Sequence, residues 1–220
     1  MKVLIISATV HRGSTYSIGR ILAEKVTSPE NISEVFLPRD FGEFCCGCTN
    51  CFGKGEQTCP HYEKLRPVTE KIDAADLIIL TSPVYCYHAA GQMKALLDHY
   101  GYRWMVHRPD GKMFRKQAAV IATAAGAGVK STLKDMADSC YFWGIPRIYR
   151  YGTAVRAVSW ESVTAERKRK INKKTDRIAA KIKRNYGKKS VTLKTAAFFR
   201  LMAMIQKKGW TSGKRPWKQG

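Results

Sequence analysis

The chain has 220 residues, 45% hydrophobic and 10% aromatic, with a formal net charge of +22. That composition can bury one sizeable core with an extension, and no stretch approaches the roughly 20 apolar residues of a membrane span. Residues 1–6 lack a signal-peptide apolar region, so the expected location is the cytoplasm. The charge is unevenly placed: residues 146–220 hold 22 of the 39 Lys and Arg but only 3 of the 17 Asp and Glu. Any polyanion the chain attracts, whether nucleic acid, an anionic membrane or an acidic protein, should meet this carboxyl-terminal third.

In chain order, apolar runs of strand length fall at residues 3–6, 35–37, 77–80 and 118–122, with a weaker fifth at 148–153. Between them, Ile18, Ile21, Leu22 and Val26 recur at helical spacing, as do Met93, Leu96, Leu97 and Tyr100, so each set can lay an apolar face on a sheet. Strands alternating with helices imply parallel pairing and right-handed crossovers. The expected architecture is therefore a three-layer α/β fold, a doubly wound five-stranded parallel sheet with its ligands at the carboxyl ends of the strands. Functional residues are expected just after strands one, three and four.

Residues 158–186 read as a long basic helix ended by Gly187, and residues 191–205 as a second helix with Phe198, Leu201, Met202 and Ile205 in one apolar stripe. The stripe is expected to be buried against protein, as in a homodimer, with an anionic membrane as the competing surface. The domain division is then 1–157 for the ligand-binding domain and 158–220 for a basic helical extension and tail.

The loop after the first strand contains Thr9, His11, Arg12, Gly13, Ser14, Thr15 and Tyr16 and runs straight into a helix. Hydroxyls and unpaired N–H groups at a helix amino terminus suit a phosphate, although an ordinary capped loop has the same appearance. Neither GxGxxG nor GxxxxGK[ST] is present. The loop after the third strand contains Ser82, Pro83, Val84, Tyr85, Cys86 and Tyr87. The loop after the fourth contains Thr123, Ala124, Gly126 and Gly128, small residues that let a flat ligand approach the backbone.

Residues 7–15 resemble the phosphate loop GSPRxxGNT of the NAD(P)H-dependent FMN reductase and iron–sulfur flavoprotein branch of the flavodoxin-like superfamily, with Gly13, Ser14 and Thr15 in its last three places. Ala8, Thr9 and Val10 depart from Ser-Pro-Arg, leaving His11 or Arg12 to supply the positive charge. Residues 82–85 and 91–98 are similar to the family's SPVY segment and its GxxKxxxD helix; the likeness spans about residues 1–155, including His107, Arg108 and Pro109. The resemblance implies bound FMN, with Thr9, His11, Ser14, Thr15 and Tyr16 around its phosphate. It also implies Ser82, Pro83, Val84, Tyr85, Tyr87, Thr123, Ala124, Gly126 and Gly128 around its ring, and no catalytic side chain, since flavin N5 carries the chemistry. Cys86 reads as pocket wall, and His107 and Arg108 as contacts for an incoming nucleotide.

Five of the seven cysteines lie within residues 45–59. In a chain with an ordinary core, such clustering reads as metal or redox chemistry. Cys45, Cys48, Cys51 and Cys59, followed by Pro60, offer four thiolates for a [4Fe–4S] cluster, at a spacing near but not equal to a ferredoxin run. Cys48, Cys51, Cys59 and His61 make a possible zinc set, and free thiols shaping the substrate pocket are the third reading. The resemblance leaves these open, since its branch includes loops with and without a cluster. It implies an oxidoreductase passing electrons from NAD(P)H to a flavin, quinone or other small-molecule acceptor. The rivals are an electron carrier with the cluster, and a nucleic-acid or membrane-binding module using the basic tail.

Overall fold

A computed structural model describes residues 1–105, 110–157, 159–188, 191 and 193–207. Its elements in chain order are β1 (Val3–Ser7), α1 (Ser14–Val26), β2 (Ile32–Phe36), the single turn α2 (Asn50–Gly53), α3 (Tyr62–Ala74), β3 (Leu77–Tyr85) and β4 (His88–Ala89). They continue with α4 (Gly91–His99), the short α5 (Tyr102–Met105), β5 (Gln117–Ala124), α6 (Val129–Phe142), β6 (Arg147–Ala154), α7 (Ala165–Asn185) and α8 (Leu193–Lys207). The main sheet has the order β2-β1-β3-β5-β6, every pair parallel. This is the doubly wound flavodoxin-like arrangement that alternating strands and helices imply. The order reverses at β1, so the loops after β1 and β3 diverge to opposite faces and open a crevice at their carboxyl ends.

Residues alternate between the two faces of each central strand. Leu4, Ile6, Ile78, Leu80, Ala118 and Val120 point to one side, where they meet Val68 and Ile72 of α3, Met93 and Leu96 of α4, and Met136 of α6. Val3, Ile5, Leu77, Ile79, Ala119 and Ile121 point to the other, against Ile18 and Leu22 of α1 and Ile171, Ile178 and Ile182 of α7. Burial on both faces explains why β1, β3 and β5 read as continuous apolar runs. β2 begins at Ile32 rather than at residue 35, because its first three residues lie on an edge and are only partly buried or exposed.

The basic helix begins at Ala165, where the Thr164 hydroxyl accepts a hydrogen bond from Arg167 N and caps it. One face of α7 is Ile171, Thr175, Ile178, Ala179 and Ile182, all buried, and the opposite faces carry its Lys and Arg into solvent. The change of composition at 157/158 thus does not coincide with a break in packing: α7 completes the layer that α1 begins. In α8, Phe198 packs on Tyr141 and Phe142 at the end of α6, and Phe199 on Phe114. Phe199 is thereby buried and Phe198, of the apolar stripe, half-buried within the chain, while Leu193, Leu201 and Met204 remain exposed. Among the described residues no helix is long and apolar enough to cross a membrane.

Candidate functional site

A cleft of about 510 Å³ lies at the carboxyl edge of the sheet, within the size range of small-molecule sites. Its walls come from four loops: Thr9, His11, Gly13, Ser14, Thr15 and Tyr16 after β1; Pro83, Val84 and Tyr85 at the end of β3; Thr123, Ala124 and Ala125 at the end of β5; and Val155, Arg156 and Ala157 after β6.

One end is the start of α1. Its N-cap is Gly13, in extended conformation; no side chain caps the helix and no acidic residue lies in its first turn. The first backbone bond closing the helix is Ser17 N to Gly13 O, so the preceding N–H groups have no intrahelical acceptor. Ser14 Oγ is buried and has no hydrogen-bond partner. The Thr15 and Thr123 hydroxyls bond to each other, joining the β1 and β5 loops. Tyr16 donates to Glu34 at 2.7 Å, and burial together with that carboxylate raises the phenol above its ordinary range. A buried hydroxyl with nothing to bond, at an uncapped helix terminus facing a cleft, fits an anionic group such as the phosphate of FMN.

Arg12 does not serve this end. Its guanidinium sits 5.2 Å from the Phe36 ring and 3.7 Å from Glu34 Oε2. His11 does line the cleft, and so does Arg156, exposed in the left-handed conformation at φ 49°. Arg156 places a guanidinium-bearing side chain on the cleft wall from the β6 side. It is absent from the residues expected from the sequence, which follow strands one, three and four; its position directly after the fifth predicted strand was the available signal.

The flat walls depend on a hairpin. β3 runs beyond the sheet to Tyr85, turns at Cys86 and Tyr87, and pairs back antiparallel, Val84 with Ala89 and Tyr85 with His88. Both turn residues have positive φ, 47° and 67°, the requirement of a two-residue type I′ turn, met here without glycine. The hairpin is held from α6: Ser131 Oγ donates to Tyr87 O, Asp135 accepts from Ala89 N, and His88 Nδ1 lies 3.0 Å from the same carboxylate. Ser82, fully buried, secures its base by accepting from Ala90 N and donating to Pro83 O.

Ser82, Tyr87, Gly126 and Gly128 therefore lie outside the cleft wall. Ser82 is behind the hairpin, Tyr87 points to solvent, Gly126 is exposed, and Gly128 is the N-cap of α6 packed beneath Val84 and Tyr87. Cys86 is exposed on the turn. His107 and Arg108 lie outside the described residues.

In the cysteine loop, Cys45, Cys46 and Cys48 are exposed and Cys51 and Cys59 half-buried. Burial raises the Cys51 and Cys59 thiols, and the neighbouring cysteines add to it: Cys59, Cys45 and Cys48 act on Cys51, and Cys48, Cys45 and Cys46 on Cys59. Among the described residues, the His, Cys, Asp and Glu ligand atoms that come within 4.8 Å of one another in a group of three are those of Cys59, His61 and His99. His99 is absent from the sequence-based metal sets, because nothing in its spacing, 38 residues beyond His61, links it to the loop.

Comparison with known proteins agrees with this geometry. The parallel sheet, its order and the cleft at its carboxyl edge define a flavodoxin-like α/β protein. Residues 1–155 match the family described as NADPH-dependent FMN reductase, and the chain belongs to that family. An iron–sulfur flavoprotein of Archaeoglobus fulgidus is 31% identical over 110 residues, 49% of this chain and 46% of the relative, so the match spans about half the relative's length. Among solved structures, an FMN-dependent NADH-azoreductase from Bacillus anthracis, in complex with FMN, is 15% identical with a TM-score of 0.60, covering 83% of this chain and 100% of that one. An NAD(P)H:quinone oxidoreductase from Methanothermobacter marburgensis is also 15% identical with a TM-score of 0.60, covering 84% and 95%. At such identities these two structures speak to the fold.

Proposed function

We propose that the chain holds FMN in the carboxyl-edge cleft and works as an NAD(P)H-dependent reductase of a small acceptor such as a flavin or a quinone. The observation that carries this reading is the unpartnered, buried Ser14 hydroxyl at the uncapped start of α1, on the wall of a cleft lined by the loops of four parallel strands. Bound FMN supplies what no side chain here supplies, two-electron exchange with a nicotinamide and with an acceptor.

The chain's own residues bind and orient. Ser14 and the free N–H groups of the first turn of α1 receive the phosphate, with Arg156 adding positive charge and His11 a ring N–H at the rim. Pro83, Val84, Ala124 and Ala125 offer flat apolar surface to the ring. Tyr85, 53% exposed on the hairpin, leaves a side open for a second planar molecule. No titratable residue is required as acid or base.

A second reading, an electron carrier with a [4Fe–4S] cluster on Cys45, Cys48, Cys51 and Cys59, is supported by the close spacing of these cysteines in the sequence and by the naming of the Archaeoglobus fulgidus relatives as iron–sulfur flavoproteins. Steady-state oxidation of NADH or NADPH by the FMN-loaded full chain, with free FMN or a quinone added, separates the two. The reductase reading predicts continuous turnover. Flavin-loaded protein that gives none would favour the carrier.

A further inference from the structure

Away from the flavin cleft, the cysteine loop meets two helices. His61 is the N-cap of α3 and His99 the last residue of α4, and Cys59 precedes His61 by two residues. A ligand atom from each of Cys59, His61 and His99 lies within 4.8 Å of the other two. His61 Nδ1 is 3.0 Å from His99 Nε2, with Phe41 edge-on to the His99 ring at 4.8 Å between centroids. His99 is buried, 5% exposed.

The outer nitrogen of His99 is already engaged, and that of His61 faces a carboxylate. His99 Nδ1 donates to Ala95 O at 2.8 Å, which fixes the tautomer and leaves a lone pair on Nε2. His61 Nε2 faces Glu43 Oε2 at 3.9 Å. A carbonyl hydrogen-bonded behind His99 and a carboxylate beyond the outer nitrogen of His61, with the inner nitrogens meeting each other, resemble the arrangement that orients imidazoles toward a metal. Cys51 lies outside that group of three and lines the same small cavity, about 20 Å³, as Cys59 and His99.

We propose that Cys59, His61 and His99, with Cys51 as fourth ligand, form a zinc site that clamps the cysteine loop to the amino end of α3 and the carboxyl end of α4. Two thiolates and two imidazoles are the donor set that tetrahedral zinc takes in closed structural sites. Binding releases the thiol protons of Cys51 and Cys59, and the proton that His61 Nδ1 shares with His99 moves to Nε2, toward Glu43. Cys45 and Cys48, both exposed, stay outside the set. The site is incompatible with the four-cysteine cluster, since both need Cys51 and Cys59, and it does not depend on what the flavin cleft holds.

The test is metal analysis of the full chain purified anaerobically, followed by cobalt(II) titration of the metal-free chain. One zinc per chain, and the visible spectrum of tetrahedral cobalt with thiolate ligands, are expected. Cys45→Ser and Cys48→Ser should keep both, and His99→Ala should lose both. Because His99 is buried and its replacement risks the fold, Glu43→Gln is the companion variant: zinc affinity should fall about 10- to 100-fold with circular dichroism unchanged. Flavin released from the same samples reads the cleft separately. Iron with sulfide lost on Cys45→Ser, zinc lost on Cys48→Ser, or no cobalt spectrum would each overturn the proposal.

Discussion

Replacing Ser14 and Thr15 with Ala is expected to weaken FMN binding by roughly 100-fold while riboflavin loses far less. A hydrogen bond to a charged group contributes about 1.5–3 kcal/mol, or about 10- to 100-fold in affinity. Ser14 Oγ has no other partner, so its whole contribution should go to the ligand. Thr15 is already bonded to Thr123, so its removal acts mainly by loosening the β1 and β5 loops from each other. Ser14→Ala alone should accordingly account for most of the loss. Riboflavin lacks the phosphate that these groups serve and should register only the loosening. Fluorescence titration with both ligands measures the difference, and equal losses would move the phosphate away from α1.

Gly128→Ala should destabilise the fold by about 2–5 kcal/mol and disturb the flavin site with it. The position has φ 87°, which costs a side chain roughly 1–2 kcal/mol. An added Cβ would also stand 2.5 Å from Val84 Cγ1 and 2.8 Å from the Tyr87 Cα, and crowding of that kind costs about 1–3 kcal/mol. Relief requires the Tyr85–Tyr87 turn to move, and that turn carries the Tyr85 wall. Gly126→Ala is the control, with ordinary φ and nothing within 4 Å of its Cβ; it should leave both stability and FMN affinity unchanged. Chemical denaturation with FMN titration distinguishes the two glycines, which look alike in the sequence.

That pair also shows where the sequence was legible and where it was not. Runs such as residues 77–80 and 118–122 announce buried parallel strands because both of their faces are apolar, and the hydroxyls at 14 and 15 announce a helix start. The loops after β1, β3 and β5 were therefore readable, and most of the residues named in them line the cleft. The hairpin was not, because its turn residues Cys86 and Tyr87 carry no glycine or asparagine to signal positive φ. Ser82 looks like a ligand residue by position but hydrogen-bonds the hairpin's own backbone. The charge of α7 suggested an appendage, yet its Ile171, Ile178 and Ile182 complete one layer of the core, a role that net charge conceals and periodicity shows. His99 meets the cysteine loop through tertiary packing alone.

The central claim is that the cleft holds FMN, and the most direct measurement is the flavin content of the purified full chain. After denaturation, the released chromophore is identified and counted against protein, and chain stripped of flavin is titrated with FMN. The account predicts FMN bound at one per chain, or saturable uptake to that ratio, with affinity falling about 10- to 100-fold on Ser14→Ala. A chain that releases no flavin and takes up none would contradict it.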